Sequence, residues 1–274
     1  MILLVASSKD IASLNIKKQV LDHYQFERTT ESFQENAVLE AHINQEKVRF
    51  VTLNQESVYA QNLTESFIEV ELVVFISRHS SESGTPTLSV HTPGNLSGVG
   101  LGGIPRKVSF SPANAMRDAL KAMMRLKEEM KLDYAVSYEG THHGPSLDTP
   151  TMFAELGSSP KQWNDLEAAE VVAHAAIEAI YKFSNPSAKA VLGIGGTHYN
   201  ARFTRMALEN NIAFGHMIPK YAIPTIDAGI LRQCVERTLE KVDHAVLDWK
   251  GIKGESKQPL IRMLDEAGLQ FQKV

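Results

Sequence analysis

The amino-acid sequence predicts an α/β fold, with a mixed, largely parallel sheet between two layers of helices. The first observation is an alternation of short apolar runs with longer segments of helical periodicity along the 274 residues. The second is that no repeat, low-complexity stretch or proline- and serine-rich linker interrupts this alternation. We therefore expect a single domain over residues 1–274, with a three-layer α/β/α arrangement.

The strands are predicted where β-branched and aliphatic residues form short runs. The run LVVFIS, from Leu72 to Ser77, is apolar almost throughout, as expected for a strand covered on both faces. The first run, ILLVAS, follows no basic segment, so it indicates a buried strand and not a signal peptide. The other predicted strands are KVRFVTLN, TLSVHT, DYAVSYEG, AKAVLGIGG, IAFGHMIP and DHAVLDW.

The helices are predicted from apolar residues at helical spacing and from their start signals. The clearest is SPANAMRDALKAMMRLKEEM, where we expect Ser111 as the N-cap and Pro112 as the first helical residue. The segment SPKQWNDLEAAEVVAHAAIEAIYKF repeats this start at Ser159 and Pro160. Further helices are predicted in IASLNIKKQVLDHY, YNARFTRMALENN, DAGILRQCVERTLE and KQPLIRMLDEAG.

The composition argues against several classes of protein. The net charge is -4 and the pI about 6.2, whereas proteins that coat nucleic acid usually have a pI above about 9. Cys234 is the single cysteine, so no intrachain disulfide can form, and this fits a reducing compartment. No apolar run approaches the roughly 18 residues of a membrane span. We expect a soluble cytoplasmic protein that acts as a monomer.

Three polar segments follow predicted strands and share histidine, threonine, serine and glycine. They are SRHSSESGTP after the strand LVVFIS, EGTHHGP after YAVSY, and GGTHYN after AVLGI. Ligands of open α/β sheets bind beyond the carboxyl ends of the strands. We therefore expect these three segments to converge at one edge of the sheet.

The residue types in these segments are those of metal sites and of acid–base catalysis. His79, His142, His143 and His198 all follow strands, and Glu82 and Glu139 lie beside them. Imidazole and carboxylate are zinc ligands, and a catalytic zinc lowers the pKa of its water. The same side chains can also act as general acid and base without a metal. The spacing of these residues alone does not distinguish a metal site from acid–base catalysis without a metal.

Other catalytic motifs are missing from the sequence. The segment GVGLGGIPRKVSFSP is rich in glycine but lacks the Gly-Lys-Ser/Thr of a phosphate-binding loop. No serine stands in a Gly-x-Ser-x-Gly elbow, and Cys234 lies in a predicted helix without a neighbouring histidine. A directly activated water molecule is therefore favoured over a covalent nucleophile. The segment GIGGTHYN, between a strand and a helix, can offer backbone N–H groups to a phosphate or carboxylate.

Four motifs in order closely resemble the D-aminoacyl-tRNA deacylases of the archaeal and plant type. They are SRHSSESGTPTLSVHTPGN, EGTHHGP, GIGGTHYNARFT and FGHMIPKYA, and the similarity covers nearly the whole chain. The resemblance implies a fold like that of phosphorylases and peptidyl-tRNA hydrolases. It also implies zinc as cofactor, and hydrolysis of the ester that joins a D-amino acid to the 3′ end of tRNA.

The matched motifs also give the expected site residues. We expect Glu139, His142 and His79 to be catalytic, and the metal ligands to be His142, His143, His198 and Glu82. The expected substrate contacts are Ser80, Ser81, Gly102, Gly103, Arg106, Lys107, Gly195, Gly196, Tyr199 and His216. Among these, Arg106 and Lys107 are the first candidates to bind tRNA phosphates, followed by Arg202, Arg205 and Lys220.

Two alternatives remain at the level of the sequence. The first is another zinc-dependent hydrolase of this fold that acts on peptides or nucleosides. The second is a non-catalytic zinc- or RNA-binding module, against which stand the low pI and an aromatic content of only 7%.

Overall fold

A computed structural model describes all residues, 1–274, as an α/β protein, which confirms the predicted fold class. The strands are β1 (Ile2–Ser7), β2 (Glu27–Phe33), β3 (Asn36–Ile43), β4 (Glu46–Leu53), β5 (Leu72–Arg78), β6 (Thr87–His91), β7 (Ala135–Tyr138), β8 (Thr151–Gly157), β9 (Lys189–Gly195), β10 (Ile212–Ile218), β11 (His244–Asp248) and β12 (Gln270–Lys273). The helices are α1 (Ile11–His23), α2 (Ala113–Glu129), α3 (Pro160–Trp163), α4 (Leu166–Lys182), α5 (Ala201–Glu209), α6 (Ala228–Glu236) and α7 (Gly254–Glu266). None of these helices has the length and apolar character needed to cross a bilayer.

The strands form two sheets. The larger has the order β2-β3-β4-β1-β5-β8-β6-β7, and the smaller has the order β10-β9-β11-β12. In the larger sheet β4, β1, β5 and β8 are parallel, whereas β6 is antiparallel to β8 and parallel to β7. All strands of the smaller sheet are parallel. The β2–β3 hairpin, β8 and β12 are additional to the predicted strands.

The two faces of the larger sheet bury different apolar clusters. On one face Leu4, Val74 and Ala154 pack with residues of α1, α2 and α4, and this cluster continues to Phe214 of the smaller sheet. The other face carries Phe75 and Phe153, whose rings stack with centroids 4.6 Å apart. Short 3₁₀ turns at Ser57–Tyr59 and Leu63–Ser66 lie beside this second face. The second face therefore has room for a polar site next to its apolar part.

The helix starts differ from the predicted ones. Pro112 and not Ser111 is the N-cap of α2, and it makes no side-chain capping bond. Ser111 instead bonds the backbone of Arg237 and Leu239, while the carboxylate of Glu240 accepts hydrogen bonds from the first backbone N–H groups of α2. At the second Ser-Pro pair only the four-residue α3 begins, and α4 starts after Asp165, whose carboxylate accepts from the N–H of Ala168. A tertiary contact with Glu240 therefore replaces the local cap at α2, whereas Ser159 and Pro160 do begin a helix, but only the short α3.

Candidate active site

The candidate site lies on the second face of the larger sheet, above β5, β8 and β6. Cross-strand pairing places Ser77, Glu155 and Ser89 in one row and Phe75, Phe153 and His91 in the next. The His91 ring stacks on Phe153 at a centroid distance of 5.1 Å. Side chains alternate between the faces of a strand, so Glu155 and His91 point to the same side as the stacked aromatic rings.

Three chain segments meet there, as predicted, but not at one carboxyl edge of a parallel sheet. Since β6 and β7 run opposite to β5 and β8, the chain leaves β5 and β7 in opposite directions, although the register places the ends of these two strands at nearly the same level of the sheet. The side chain of His79, after β5, reaches Glu139, after β7, with 3.2 Å between Nδ1 and Oε1. The predicted edge position is wrong, because β8 is inserted between β5 and β6 and the site lies over the strands.

Glu139 is the centre of the cluster and is fully buried. Its Oε2 is 2.9 Å from His198 Nε2 and 3.7 Å from His142 Nε2. Burial raises the pKa of a carboxyl group, but the hydrogen bond from His198 and the positive charge of His79 outweigh burial. The pKa of Glu139 is therefore well below its usual range, and the residue is a buried carboxylate held by histidines.

The adjacent histidines turn to the same side of their loop. His143 has a φ of 43°, and its ring centroid lies 4.2 Å from that of His142. Their Nδ1 atoms are 2.9 Å and 2.6 Å from the carbonyl oxygens of Gly140 and Gly144, respectively. Donation of these N–H groups to the carbonyls leaves both Nε2 atoms with free lone pairs, and His143 Nε2 is 3.3 Å from His91 Nε2.

His91, His142 and His143 are held in the neutral form. Burial lowers the pKa of His142 and of His91 well below the usual value, and nearby histidines add to the effect. Burial likewise lowers the pKa of His143 to about 4. Neutral imidazole is the form that binds a metal ion.

These side chains form groups that could hold a metal ion. The potential ligand atoms of His91, His142 and His143 lie within 4.8 Å of one another, and so do those of Glu139, His142 and His198. A tetrahedron with metal–ligand bonds of about 2.1 Å has edges of about 3.4 Å. The measured separations of 3.3 Å between His91 and His143 and 3.7 Å between His142 and Glu139 are close to that. Two buried atoms, His91 Nδ1 and Glu139 Oε1, have no hydrogen-bond partner.

His79 differs from the other histidines in its charge. Burial lowers its pKa, but the hydrogen bond to Glu155 and the charges of Glu139 and Glu155 outweigh burial and raise the pKa to about 9. The ring is therefore protonated at neutral pH, and its Nε2–H contacts the hydroxyl group of Tyr199. Trp163 donates its indole N–H to the carbonyl of His79 at 2.8 Å, which fixes the backbone there.

Some of the predicted residues lie apart from this cluster. Glu82 is exposed in a turn and belongs to none of the groups that could hold a metal, whereas the buried carboxylates of Glu139 and Glu155 do. His216 is fully buried, where its Nδ1 contacts Thr141 and its Nε2 lies 3.1 Å from the carbonyl of Ser109. A structural role explains these contacts of His216.

The predicted basic residues are engaged in ion pairs. Arg106 lies 2.5 Å from Asp227, and Lys107 lies 2.8 Å from Asp148. Both pairs are surface pairs with partly exposed side chains, so they reduce the local positive charge but do not block the cations completely.

The predicted glycines support the loops of the site. A Cβ atom on Gly103 would lie 2.9 Å from the Cα of Gly144, so these two backbones are in direct contact. Gly195 and Gly196 have φ angles of 105° and 76° and form the turn before His198. These glycines permit the backbone path that carries the histidines.

A cavity of about 180 Å³ opens beside the cluster. Its lining includes His79, His143, Phe153 and Glu155 of the cluster and its surroundings, together with Ser80 and Leu101. The charged residues Asp10, Glu56 and Arg78 also line it. The candidate site thus combines a buried histidine–carboxylate cluster with a space for a small group.

Glu155 and His91 were not among the site residues predicted from the sequence. Both lie inside buried strands, which local patterns interpret as core. Glu155 carried a usable signal, because it is the one charged residue in the run TMFAELG between Pro150 and two serines. A carboxylate in a buried run requires a partner, and it therefore marks a candidate site.

An α/β fold that brings neutral imidazoles, carboxylates and a protonated histidine together beside a cavity defines the protein as a hydrolase. The family model described as D-aminoacyl-tRNA deacylase matches residues 66–272. Similar proteins include the D-aminoacyl-tRNA deacylases of Thermococcus kodakarensis, 38% identical over 96% of both chains, and of Thermococcus onnurineus, 34% identical over 98% of both chains. The chain belongs to the D-aminoacyl-tRNA deacylase family.

A solved structure supports the fold over the full length. The crystal structure of a conserved protein of unknown function superimposes with a TM-score of 0.89 at 29% identity, and the match covers 100% of this chain and 95% of that chain. Family membership disfavours the alternatives of a peptide or nucleoside hydrolase and of a non-catalytic module.

Proposed function

We propose that the protein hydrolyses the ester bond between a D-amino acid and the 3′-terminal ribose of tRNA. The products are the free D-amino acid and tRNA, so the reaction corrects mischarged tRNA during translation. The observation that carries the proposal is the buried contact of Glu139 with three histidines, all inside the region that matches the deacylase family.

We also propose zinc as the cofactor. The residues that would hold it are His91, His142 and His143 through Nε2, with Glu139 as a carboxylate ligand. The low pKa values that keep these three histidines neutral support this choice, as do the separations of 3.3 Å between His91 and His143 and 3.7 Å between His142 and Glu139. When bound, zinc would act as a Lewis acid and lower the pKa of water. His198 donates to Glu139 and orients its carboxylate.

His79 is the proposed proton donor. It is protonated at neutral pH and contacts the hydroxyl group of Tyr199, which is only partly buried. As water adds to the ester carbonyl and the bond to the ribose oxygen breaks, that oxygen requires a proton. Tyr199 can donate its hydroxyl proton to the ribose oxygen and regain one from His79. The attacking water releases a proton to the solvent as the carboxylate product forms, and a proton from the solvent restores the charge of His79. Glu139 and Glu155 hold the positive charge of His79 in place.

The proposed aminoacyl site is the cavity beside the cluster. A volume of about 180 Å³ suits an amino acid and not a whole nucleotide. Glu139 does not line this cavity, so it is poorly placed to bind the α-amino group directly. Glu155, in the cavity wall, is the better-placed acid for the amine. A fixed amine and a rigid wall at Phe153 would reject the L side chain by steric clash.

The decisive assay compares D-Tyr-tRNA with L-Tyr-tRNA. We expect rapid ester loss from the D form and little above background from the L form, measured at equal concentrations. Equal hydrolysis of both forms, or of neither, would contradict the proposed function. A heat-inactivated sample provides the spontaneous rate, since the ester also hydrolyses without enzyme.

The site of action and the assembly state are part of the same proposal. Aminoacyl-tRNA is used in the cytoplasm, and the single buried thiol of Cys234 is compatible with a reducing compartment. We propose that the enzyme acts there as a monomer, which light scattering of the purified protein would measure.

A further inference from the structure

A second cavity lies on the other side of the loop that carries His198. Its volume is about 340 Å³, and its lining is almost entirely polar. Three cationic side chains face it, those of Arg202, Arg205 and Lys220, together with the single carboxylate of Asp248. Such an excess of positive charge favours an anion.

The carboxylate neutralises only one of the three cations. Arg202 Nε is 3.3 Å from Asp248 Oδ1. Arg205 and Lys220 form no ion pair, in contrast to Arg106 and Lys107, which both contact aspartates. The candidate active site does not explain why two unpaired cations, Arg205 and Lys220, lie in one concave surface.

This cavity adjoins the catalytic cluster along two chain segments. Thr197 lines the cavity, while the next residue, His198, contacts Glu139 at 2.9 Å. Lys220 lines the cavity, while the next residue, Tyr221, lies 3.3 Å from His198 Nδ1. On both segments, a residue that lines the cavity is therefore followed directly by a residue that contacts the catalytic cluster or His198.

The two segments are tied together, which fixes this spacing. The backbone N–H of Lys220 donates to the carbonyl of Gly196 at 2.9 Å. Gly196 has a φ of 76°, and a Cβ atom there would lie 2.3 Å from Asn200 Nδ2, so the turn leaves no free space. A ligand group in the cavity would be held at a fixed distance from the cluster.

We propose that this cavity binds the 5′-phosphate of the 3′-terminal nucleotide of the tRNA. The inference rests on the proposed function, because it assumes that the ester of that nucleotide lies at the histidine cluster. In one nucleotide the 5′-phosphate and the 3′-ester lie on opposite sides of the same ribose. The phosphate in the cation-lined cavity and the ester at the cluster would then orient the ribose between them.

The test compares the binding of adenosine 5′-monophosphate with that of adenosine by calorimetry. We expect the monophosphate to bind the wild-type protein about tenfold or more tightly, because a charge-assisted contact is gained. The double variant Arg205→Gln with Lys220→Gln is expected to lose this difference. The matched control, Lys18→Gln with Arg125→Gln, removes the same charge from exposed cations that are paired with carboxylates outside the site, and it is expected to keep the difference.

Three results would overturn the phosphate site. They are no detectable binding of the monophosphate, equal affinity for the two ligands in the wild type, and a difference that persists in the Arg205 and Lys220 variant. Thermal melting checks that each variant is folded. If only the single variant Arg205→Gln is folded, it is tested in the same way. Loss of the difference in affinity between adenosine 5′-monophosphate and adenosine would support the phosphate site, and retention of that difference would overturn it.

The deacylation assay separates this inference from the proposed function. With D-Tyr-tRNA the double variant is expected to raise KM while kcat stays near the wild-type value. A wild-type protein without activity on D-Tyr-tRNA would refute the proposed function, whereas the nucleotide comparison would still decide whether the cavity binds phosphate.

Discussion

The carboxylate of Glu155 lies 3.5 Å from Nδ1 of His79, although Glu155 stands in the middle of a strand and His79 follows the end of the neighbouring strand. Ser77 donates a hydrogen bond of 2.6 Å to the other oxygen of the same carboxylate. Burial raises the pKa of Glu155, while its contact with His79 opposes that effect. The charge state of His79 therefore depends on a residue inside the sheet.

The substitution Glu155→Gln should change the pH dependence of the reaction. The pKa of His79 is raised to about 9, so the proposed proton donor is active below that pH and is lost as the pH rises through it. Without the Glu155 charge the pKa of His79 falls, and the alkaline limb of kcat moves to lower pH. Glu56→Gln, also in the lining of the cavity, serves as the control. An alkaline limb that stays in place would contradict this role.

The purified protein should contain zinc at near-stoichiometric amounts. Removal of the metal with a chelator is expected to abolish deacylation, because His91, His142 and His143 hold the ion beside the ester. Elemental analysis and an activity assay before and after zinc is added back measure this. Full activity in verified metal-free protein would refute the zinc proposal while leaving the deacylase function intact.

The variants His142→Ala and Glu139→Gln should each reduce kcat by roughly 10² or more. His142 has its Nε2 turned into the cluster, and Glu139 is the carboxylate that the histidines share. His42→Ala, at an exposed position outside the site, provides the control for histidine removal. Circular dichroism verifies folding. A variant with wild-type turnover would assign that residue a structural role.

Acid should destabilise the protein through His216. Burial lowers its pKa from about 6.5 in the unfolded chain to about 4. The neutral form is favoured in the folded state, so the stability is complete above pH 6.5 and is lost as the pH falls towards 4. Between pH 7 and pH 5 the contribution is roughly 2 kcal/mol.

Urea unfolding of His216→Gln at these two pH values tests this contribution. The variant lacks the titrating group, so its loss of stability on acidification should be smaller than that of the wild type. His42→Gln should behave like the wild type, since that residue is exposed. The same acid loss in His216→Gln as in wild type would disprove the assignment.

Gly144→Ala should impair activity by displacing the histidine loop. A Cβ atom there would lie 2.2 Å from the backbone nitrogen of Gly103, which cannot move away without shifting its own loop. Gly100→Ala is the control, because nothing lies within 4 Å of a Cβ atom at that position. We expect a loss of roughly tenfold or more in kcat/KM for Gly144→Ala and almost none for Gly100→Ala. Similar effects of both would mean that the close contact is unimportant.

The parts of the site that were predictable from the sequence are those in loops. His79, Glu139, His142, His143 and His198 follow apolar runs, and such placement already suggested that they converge. We expected correctly that these residues converge. The reason was wrong, because they do not meet at one carboxyl edge of a parallel sheet. The insertion of β8 between β5 and β6 is a long-range pairing, and no local pattern contains the resulting strand directions.

Residues inside strands were harder to predict for a physical reason. A buried run indicates only that a strand is covered, and it does not identify which neighbours lie across the sheet. His91 therefore looked like part of an ordinary strand, although it lies 3.3 Å from His143. The N-terminus of α2 could not be predicted from a local pattern either, because the carboxylate that caps it comes from Glu240, which is distant in the sequence.

The cluster joins the two sheets, and this has a consequence for how the chain acquires activity. Glu139 pairs with Tyr199 as an isolated bridge, and the N–H of Gly140 donates to the carbonyl of His198 at 2.9 Å. Residues on the larger sheet alone supply His79, Glu155 and His91, but not His198. Catalytic competence therefore requires both sheets in their native arrangement, because only their contact closes the cluster around Glu139.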